Sequence, residues 1–277
     1  MKHLLCFGFG FSAKTLAHRL DPKLWRVTGT SRSEQGAAAI QALGFEGVLF
    51  DEMKAIPASV THIVSSVPPD DEGDPVLHKF GGEITARASN FEWVAYLSTT
   101  GVYGDRGGEW VDEESDLQPN TDRGIRRVAA EAEWAAIANL NPHIFRLAGI
   151  YGPGRNAFES LKSGKAQRVI KQGQIFSRIH VEDIAGVLLE SINKPNPGRI
   201  YNLADDEPCP PQDVIAYAAE LMGIAPPPEI QFEDAKLSAM AKSFYADSKR
   251  VSNARIKNEL GYVLKYPNYR VGLKALL

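Results

Sequence analysis

Residues 3–13 read His3-Leu4-Leu5-Cys6-Phe7-Gly8-Phe9-Gly10-Phe11-Ser12-Ala13. An apolar run ends in a glycine, and helical spacing follows. Leu16, Ala17 and Leu20 share one helical face, and Asp21-Pro22 stops the helix. A short, wholly apolar run predicts a strand buried on both faces. The glycines fit G-x-G-x-x-A. The first permits a tight turn, the second lets backbone approach a phosphate, and Ala13 keeps the helix close to the strand. Free N–H groups at a helix start favour an anion. The pattern predicts a dinucleotide site, with Gly8, Gly10, Phe11, Ser12 and Ala13 as its first candidates. The same glycines also suit a plain turn in another α/β fold.

Further strands are expected over residues 25–30, 47–50, 62–67, 93–98, 143–148 and 199–204. Helices are expected over 34–43, 84–89, 126–140, 181–193 and 211–222. Such alternation predicts βαβ units and a parallel sheet. Residues 105–123 are polar and read as a loop. Gly152-Pro153-Gly154 marks a turn, and the texture changes after it. The layout is a nucleotide-binding N-terminal half with a smaller lobe from the C-terminal third.

Composition narrows the function. The chain has 277 residues, 31 Lys plus Arg against 34 Asp plus Glu, and a net charge of −3. With 44% hydrophobic and 23% charged residues, it reads as globular and not disordered. No basic stripe offers a nucleic-acid footprint. No run of about 18 apolar residues suggests a membrane span. Two cysteines, Cys6 and Cys209, cannot make a disulfide framework. A cytoplasmic protein is expected, without metal, membrane or nucleic acid as partner.

NAD-preferring sites of this kind place an acid near the tip of the second strand, on the ribose 2′-hydroxyl. Here the tip reads Gly29-Thr30-Ser31-Arg32-Ser33, with no acid. A guanidinium can pair with a 2′-phosphate, and a hydroxyl can support it. Ser31 and Arg32 therefore predict NADP in preference to NAD. The alternative is that Arg32 is a solvated charge near a helix start.

Three later segments narrow the family: Leu97-Ser98-Thr99-Thr100-Gly101-Val102-Tyr103-Gly104, then Phe145-Arg146-Leu147-Ala148-Gly149-Ile150-Tyr151-Gly152-Pro153-Gly154-Arg155, then Ile179-His180-Val181-Glu182-Asp183-Ile184-Ala185. Tyr201-Asn202-Leu203-Ala204-Asp205 follows. With the glycine loop, the chain resembles the extended short-chain dehydrogenase/reductase superfamily, in its NAD(P)-dependent epimerase/dehydratase-like branch. The resemblance covers essentially the whole chain. It implies an α/β fold, a Rossmann-type doubly wound parallel sheet with a small C-terminal substrate lobe. The expected domains are residues 1–152 for NAD(P) and residues 153–277 mainly for substrate, with the chain returning to the first domain around 175–205. It also implies cofactor contacts from Ser65 and Ser66, and a homodimer through the long helix over 126–140. Thr99 matches the family hydroxyl that hydrogen-bonds the reacting oxygen. Asp183 matches an acid that anchors the start of the next helix.

One departure bears on chemistry. The family's proton-transfer Tyr is followed four residues later by Lys, and then by Glu. Registered on Glu131, those positions hold Arg123 and Arg127, and the sequence has no Y-x-x-x-K. Arg127 can stand in for the Lys as a cation and ribose donor. Arg123 cannot act as a base, because a guanidinium does not deprotonate in proteins. Tyr103 is the nearest substitute acid, or else a structural aromatic. The acidic run 70–74 reads as a solvated loop, and His62 as a packing residue.

Three functions are compatible with this pattern. The first is an NADP-dependent oxidoreductase or epimerase/dehydratase-like enzyme acting on a small or sugar-like substrate. An Arg pair at the cleft would suit an anionic one. The second is a non-catalytic NADP(H)-binding sensor or regulator. The third is a scaffold that kept the fold and lost the ligand.

Overall fold

The computed structural model describes residues 1–277, except the side chains of Ala239 and Met240. The strands are β1 (Lys2–Phe7), β2 (Trp25–Ser31), β3 (Glu46–Leu49), β4 (His62–Ser65), β5 (Trp93–Thr99), β6 (Trp110–Val111), β7 (His143–Leu147), β8 (Gly149–Tyr151), β9 (Arg168–Ile170), β10 (Arg178–His180), β11 (Ile200–Leu203), β12 (Glu229–Gln231) and β13 (Arg250–Val251). The helices are α1 (Phe11–Ala17), α2 (Glu34–Ala42), α3 (Pro75–Ala86), α4 (Asp122–Ala135), α5 (Ala157–Lys162), α6 (Val181–Asn193), α7 (Pro211–Leu221), α8 (Ala239–Phe244), α9 (Ala254–Leu260) and α10 (Tyr269–Lys274). The chain divides into two compact units. One comprises residues 1–99, 125–146 and 184–201, the other residues 100–124, 147–183 and 202–277.

Seven strands form one sheet in the order β11-β7-β5-β4-β1-β2-β3. The pairs β1–β2, β2–β3, β1–β4 and β4–β5 are parallel. This is the expected Rossmann-type α/β sheet. From β1 the chain steps outward through β2 and β3, then returns to β4 on β1's other side. Such a reversal opens a crevice at the carboxyl ends of β1 and β4. Leu5 and Phe7 of β1, Ile63 of β4 and Tyr96 of β5 pack with Phe80 and Ile84 of α3 and Trp134 of α4.

Helix α3 differs from expectation. It starts at Pro75, well before residue 84. Pro75 holds the first helical position, where a missing N–H costs nothing. Gly81 and Gly82 lie inside the helix and weaken its pattern in the sequence. The acidic run 70–74 is not wholly solvated either. Asp74 is fully buried. It caps α3 by accepting from the N–H groups of Val76 and Leu77 at 2.8 and 3.2 Å, and from Trp134 Nε1 at 2.9 Å. Helix α4 likewise begins earlier, at Asp122.

In the second unit, β8 pairs with β10, β9 with β12 and β6 with β13, all parallel. Phe158, Ala218, Tyr269 and Leu273 form a core of α5, α7 and α10. Gly272 admits the Tyr151 phenol, since a Cβ there would lie 2.1 Å from its oxygen. Asp183 does more than start a helix. It accepts from Tyr262 Oη at 2.9 Å and from the N–H groups of Lys265 and Tyr266 at 2.7 and 3.0 Å, fastening the C-terminal segment.

Two stability outcomes follow. Asp74→Ala removes a cap and strands the buried Trp134 N–H, so urea unfolding should show a loss of about 2–4 kcal/mol. A loss below about 1 kcal/mol would contradict the dual role. Burial, with Lys2 adding to it, lowers the His62 pKa from 6.5 to about 4. The unfolded chain therefore binds the proton first. Stability is full above pH 6.5 and declines as pH falls toward 4. Melting of His62→Gln should depend less on pH across that window than melting of the parent.

Candidate functional site

The glycine turn is fixed from two sides. Gly8 has φ +79°, the left-handed region, and a Cβ there would lie 2.9 Å from Ser66 Oγ. Its N–H donates to Thr30 Oγ1 at 2.9 Å. Phe9 N–H donates to the Thr30 carbonyl at 3.1 Å. Ser66 Oγ donates to the Gly8 carbonyl at 2.7 Å. The tips of β2 and β4 thus hold the loop that leaves β1. Gly10 caps α1 with no side-chain hydrogen bond, and nothing lies within 4 Å of where its Cβ would stand. The first intrahelical bond runs from Lys14 N–H to the Gly10 carbonyl. The N–H groups before it lack helical acceptors.

The predicted cofactor candidates Gly8, Gly10, Phe11, Ser12, Ala13, Ser31, Arg32, Ser65 and Ser66 all lie in the first unit, on or after the ends of β1, β2 and β4. Ser65 pairs in register with Phe7, one residue before the turn. Its hydroxyl is buried without a partner. Ser31 Oγ accepts from Ser33 N–H at 3.3 Å, and Ser33 caps α2. Arg32 is exposed between β2 and α2. The loop therefore has the features a dinucleotide requires: a backbone cradle, room at Gly10 and a buried hydroxyl in want of an acceptor.

The proton-transfer region is built differently from the expectation. Thr99 ends β5 and is half-buried. Arg127 does not project as a free donor. It is buried, and its Nη1 donates to Tyr96 Oη at 2.8 Å and to the Leu97 carbonyl at 2.9 Å. The residue ties α4 to β5. One turn later, Glu131 accepts from Ser98 Oγ at 2.5 Å and from Arg146 Nη2 at 2.8 Å, with both members of the ion pair nearly inaccessible. Tyr103 and Arg123 belong to the second unit. The Tyr103 phenol is fully buried and donates to Asn202 Oδ1 at 2.8 Å. That is the structural role, and the phenol is not presented to solvent as a substitute acid. Arg123 is exposed, with its guanidinium 5.8 Å from the Phe244 ring.

The contacts of Thr30 and of the Glu131–Arg146 pair go beyond what the sequence assigns to these residues. Thr30 had a signal, a hydroxyl at the tip of a strand next to the glycine loop. The Glu131–Arg146 pair had none, because its partners lie on elements that only the fold brings together. The second unit also contains a cavity of about 560 Å³, whose lining includes Tyr151, Arg155 and Arg178. Among the described residues, no group of His, Cys, Asp and Glu is placed to hold a metal ion. Nor is any helix long and apolar enough to cross a membrane.

The sheet and its glycine turn define an α/β protein of the Rossmann type. Residues 84–204 match the model of the NAD dependent epimerase/dehydratase family. A conserved protein of unknown function from Silicibacter pomeroyi DSS is 55% identical, with a TM-score of 0.96 over 100% of this chain and 98% of that one. Protein YeeZ of Escherichia coli K12 is 29% identical over 97% of each chain. A human epimerase family protein, SDR39U1, solved with NADPH, shares the fold at 16% identity, with a TM-score of 0.73 over 99% of this chain and 98% of that one.

Removing one partner of a buried ion pair leaves the other charge uncompensated. Glu131→Gln should cost about 3–5 kcal/mol in chemical unfolding. A variant as stable as the parent would show that Ser98 and Arg146 do not depend on the carboxylate.

Proposed function

We propose that this chain is an atypical NADP(H)-dependent oxidoreductase or epimerase/dehydratase-like enzyme acting on a small or sugar-like substrate. The observation that carries this reading is the Gly8 turn, clamped between Thr30 and Ser66 and open at Gly10. Backbone donors there cradle a pyrophosphate. Ser65, buried and unpartnered beside Phe7, gives its hydroxyl to the ribose region. Arg32 pairs with a 2′-phosphate, and the NADPH in the human fold neighbour is consistent with that choice. A bound nicotinamide supplies or accepts hydride. Thr99 holds the reacting oxygen of the substrate. Arg127 keeps the end of β5 in place through Leu97.

A second reading, a non-catalytic NADP(H) sensor, has one observation in its favour. The family's proton-transfer positions hold Arg123 and an inward-turned Arg127, so neither is a proton donor at neutral pH.

Titration with NADPH and NADH, read by energy transfer from the four tryptophans, separates these ideas. NADPH should bind. Arg32→Ala should weaken it by about tenfold or more, the worth of a charge-assisted contact, and change NADH by less than about threefold. Failure to bind either nucleotide would overturn both readings. Equal affinity for NADPH and NADP⁺ would remove the sensor, which needs a difference between the two states.

A further inference from the structure

The cavity of the second unit has an unbalanced wall. Arg155, Lys165 and Arg178 line it, against one carboxylate, Glu159. Glu159 already pairs with Lys162 at 3.4 Å. Arg155 and Lys165 are exposed, and among the described residues no hydrogen bond or ion pair holds their side chains. Arg178 is different. Its Nη1 donates to the Phe176 carbonyl at 3.1 Å and the Cys209 carbonyl at 3.3 Å, and lies 3.1 Å from Cys209 Sγ. One corner of the guanidinium is therefore fixed, while no described residue engages Nε or Nη2. Among the described residues, Arg178 forms no salt bridge. Asp205 donates its N–H to the Arg178 carbonyl, and its Oδ2 is buried without a partner. Burial pushes the Asp205 carboxyl up, against the pull of Arg178. Tyr151, Tyr245 and Tyr269 supply aromatic surface to the same cavity.

We propose that this cavity binds a small organic oxyanion, with one carboxylate or phosphate head on the tethered fork of Arg178 and an apolar or aromatic body among Tyr151, Tyr245 and Tyr269. A planar fork with fixed geometry matches one two-oxygen head. The exposed Arg155 and Lys165 attract the anion without orienting it. Aromatic rings offer an apolar body broad contact at little entropic cost. The proposal rests on the enzyme reading above and assigns that enzyme's small substrate to this cavity of the second unit. It assigns Cys209 and Phe176 as positioning residues for Arg178.

The test is calorimetric titration of the full chain with phenyl phosphate and benzoate. Inorganic phosphate serves as the head alone, benzyl alcohol as the body alone, and UDP-glucose as a nucleotide competitor. Phenyl phosphate or benzoate should bind better than either fragment, and the stronger of the two identifies the head. Arg178→Gln should weaken that binding by about tenfold or more, and Arg155→Gln by less than about threefold. Parallel NADPH titration reports folding. If Arg178→Gln loses NADPH, Ser160→Trp, which fills the cavity from its wall, must abolish oxyanion binding instead. Three results would overturn the proposal: no binding of either probe, equal affinity in Arg178→Gln, or tighter binding of UDP-glucose than of both probes. Loss of NADPH binding in the parent chain is a separate result and sinks the enzyme reading first.

Discussion

Position 8 admits no side chain. The backbone there turns through a conformation that L-residues avoid, and Ser66 occupies the place a Cβ would take. The constraint is mutual. Thr30 and Ser66 approach because the glycine is bare, and their hydrogen bonds then keep the turn from relaxing. The tips of three adjacent strands thereby become one rigid edge. The direction of α1, the open space at Gly10 and the placement of Ser65 all descend from that arrangement.

Much of this was legible in the chain. The apolar run 3–7 and the glycines after it gave β1, the turn and α1, because buried parallel strands and tight turns leave local signatures. The alternation of strands and helices gave the βαβ units and the parallel sheet, while the order of the strands is set by tertiary pairing. The failures were also physical. Helix α3 was hidden by Gly81 and Gly82, and its cap Asp74 was absorbed into an acidic run. Capping depends on a partner two or three residues on, and here also on Trp134, far away in sequence. Arg127 read as a ribose donor because its position in the helix was known and its direction was not. Only tertiary packing shows that it turns onto Tyr96 and Leu97. The same holds for Tyr103, whose burial against Asn202 no spacing could disclose.

Helix α4 is held against the sheet by the residues of its inward face. Its inward face holds Arg127, Glu131 and Trp134, three polar or aromatic groups each satisfied inside the first unit. The pair Glu131–Arg146 adds little net stability by its own attraction, since desolvation offsets it, but a broken pair is costly. The helix is therefore locked in register by contacts made inside the first unit. Arg127 is itself one of those contacts, through Tyr96 and the Leu97 carbonyl.

The first unit is assembled from three separated stretches, 1–99, 125–146 and 184–201. Strand β11, at one end of the sheet, is made only after more than fifty further residues have followed β7. During synthesis β7 therefore waits with an unpaired edge, the kind of surface that invites wrong partners. Pairings this distant in sequence also slow folding, because loop-closure entropy is lost before the contacts repay it. A fragment ending near residue 150 would contain every residue of the glycine turn and still lack the last strand and α6. In this architecture the first unit is not a module that precedes the rest, but a structure the later chain has to complete.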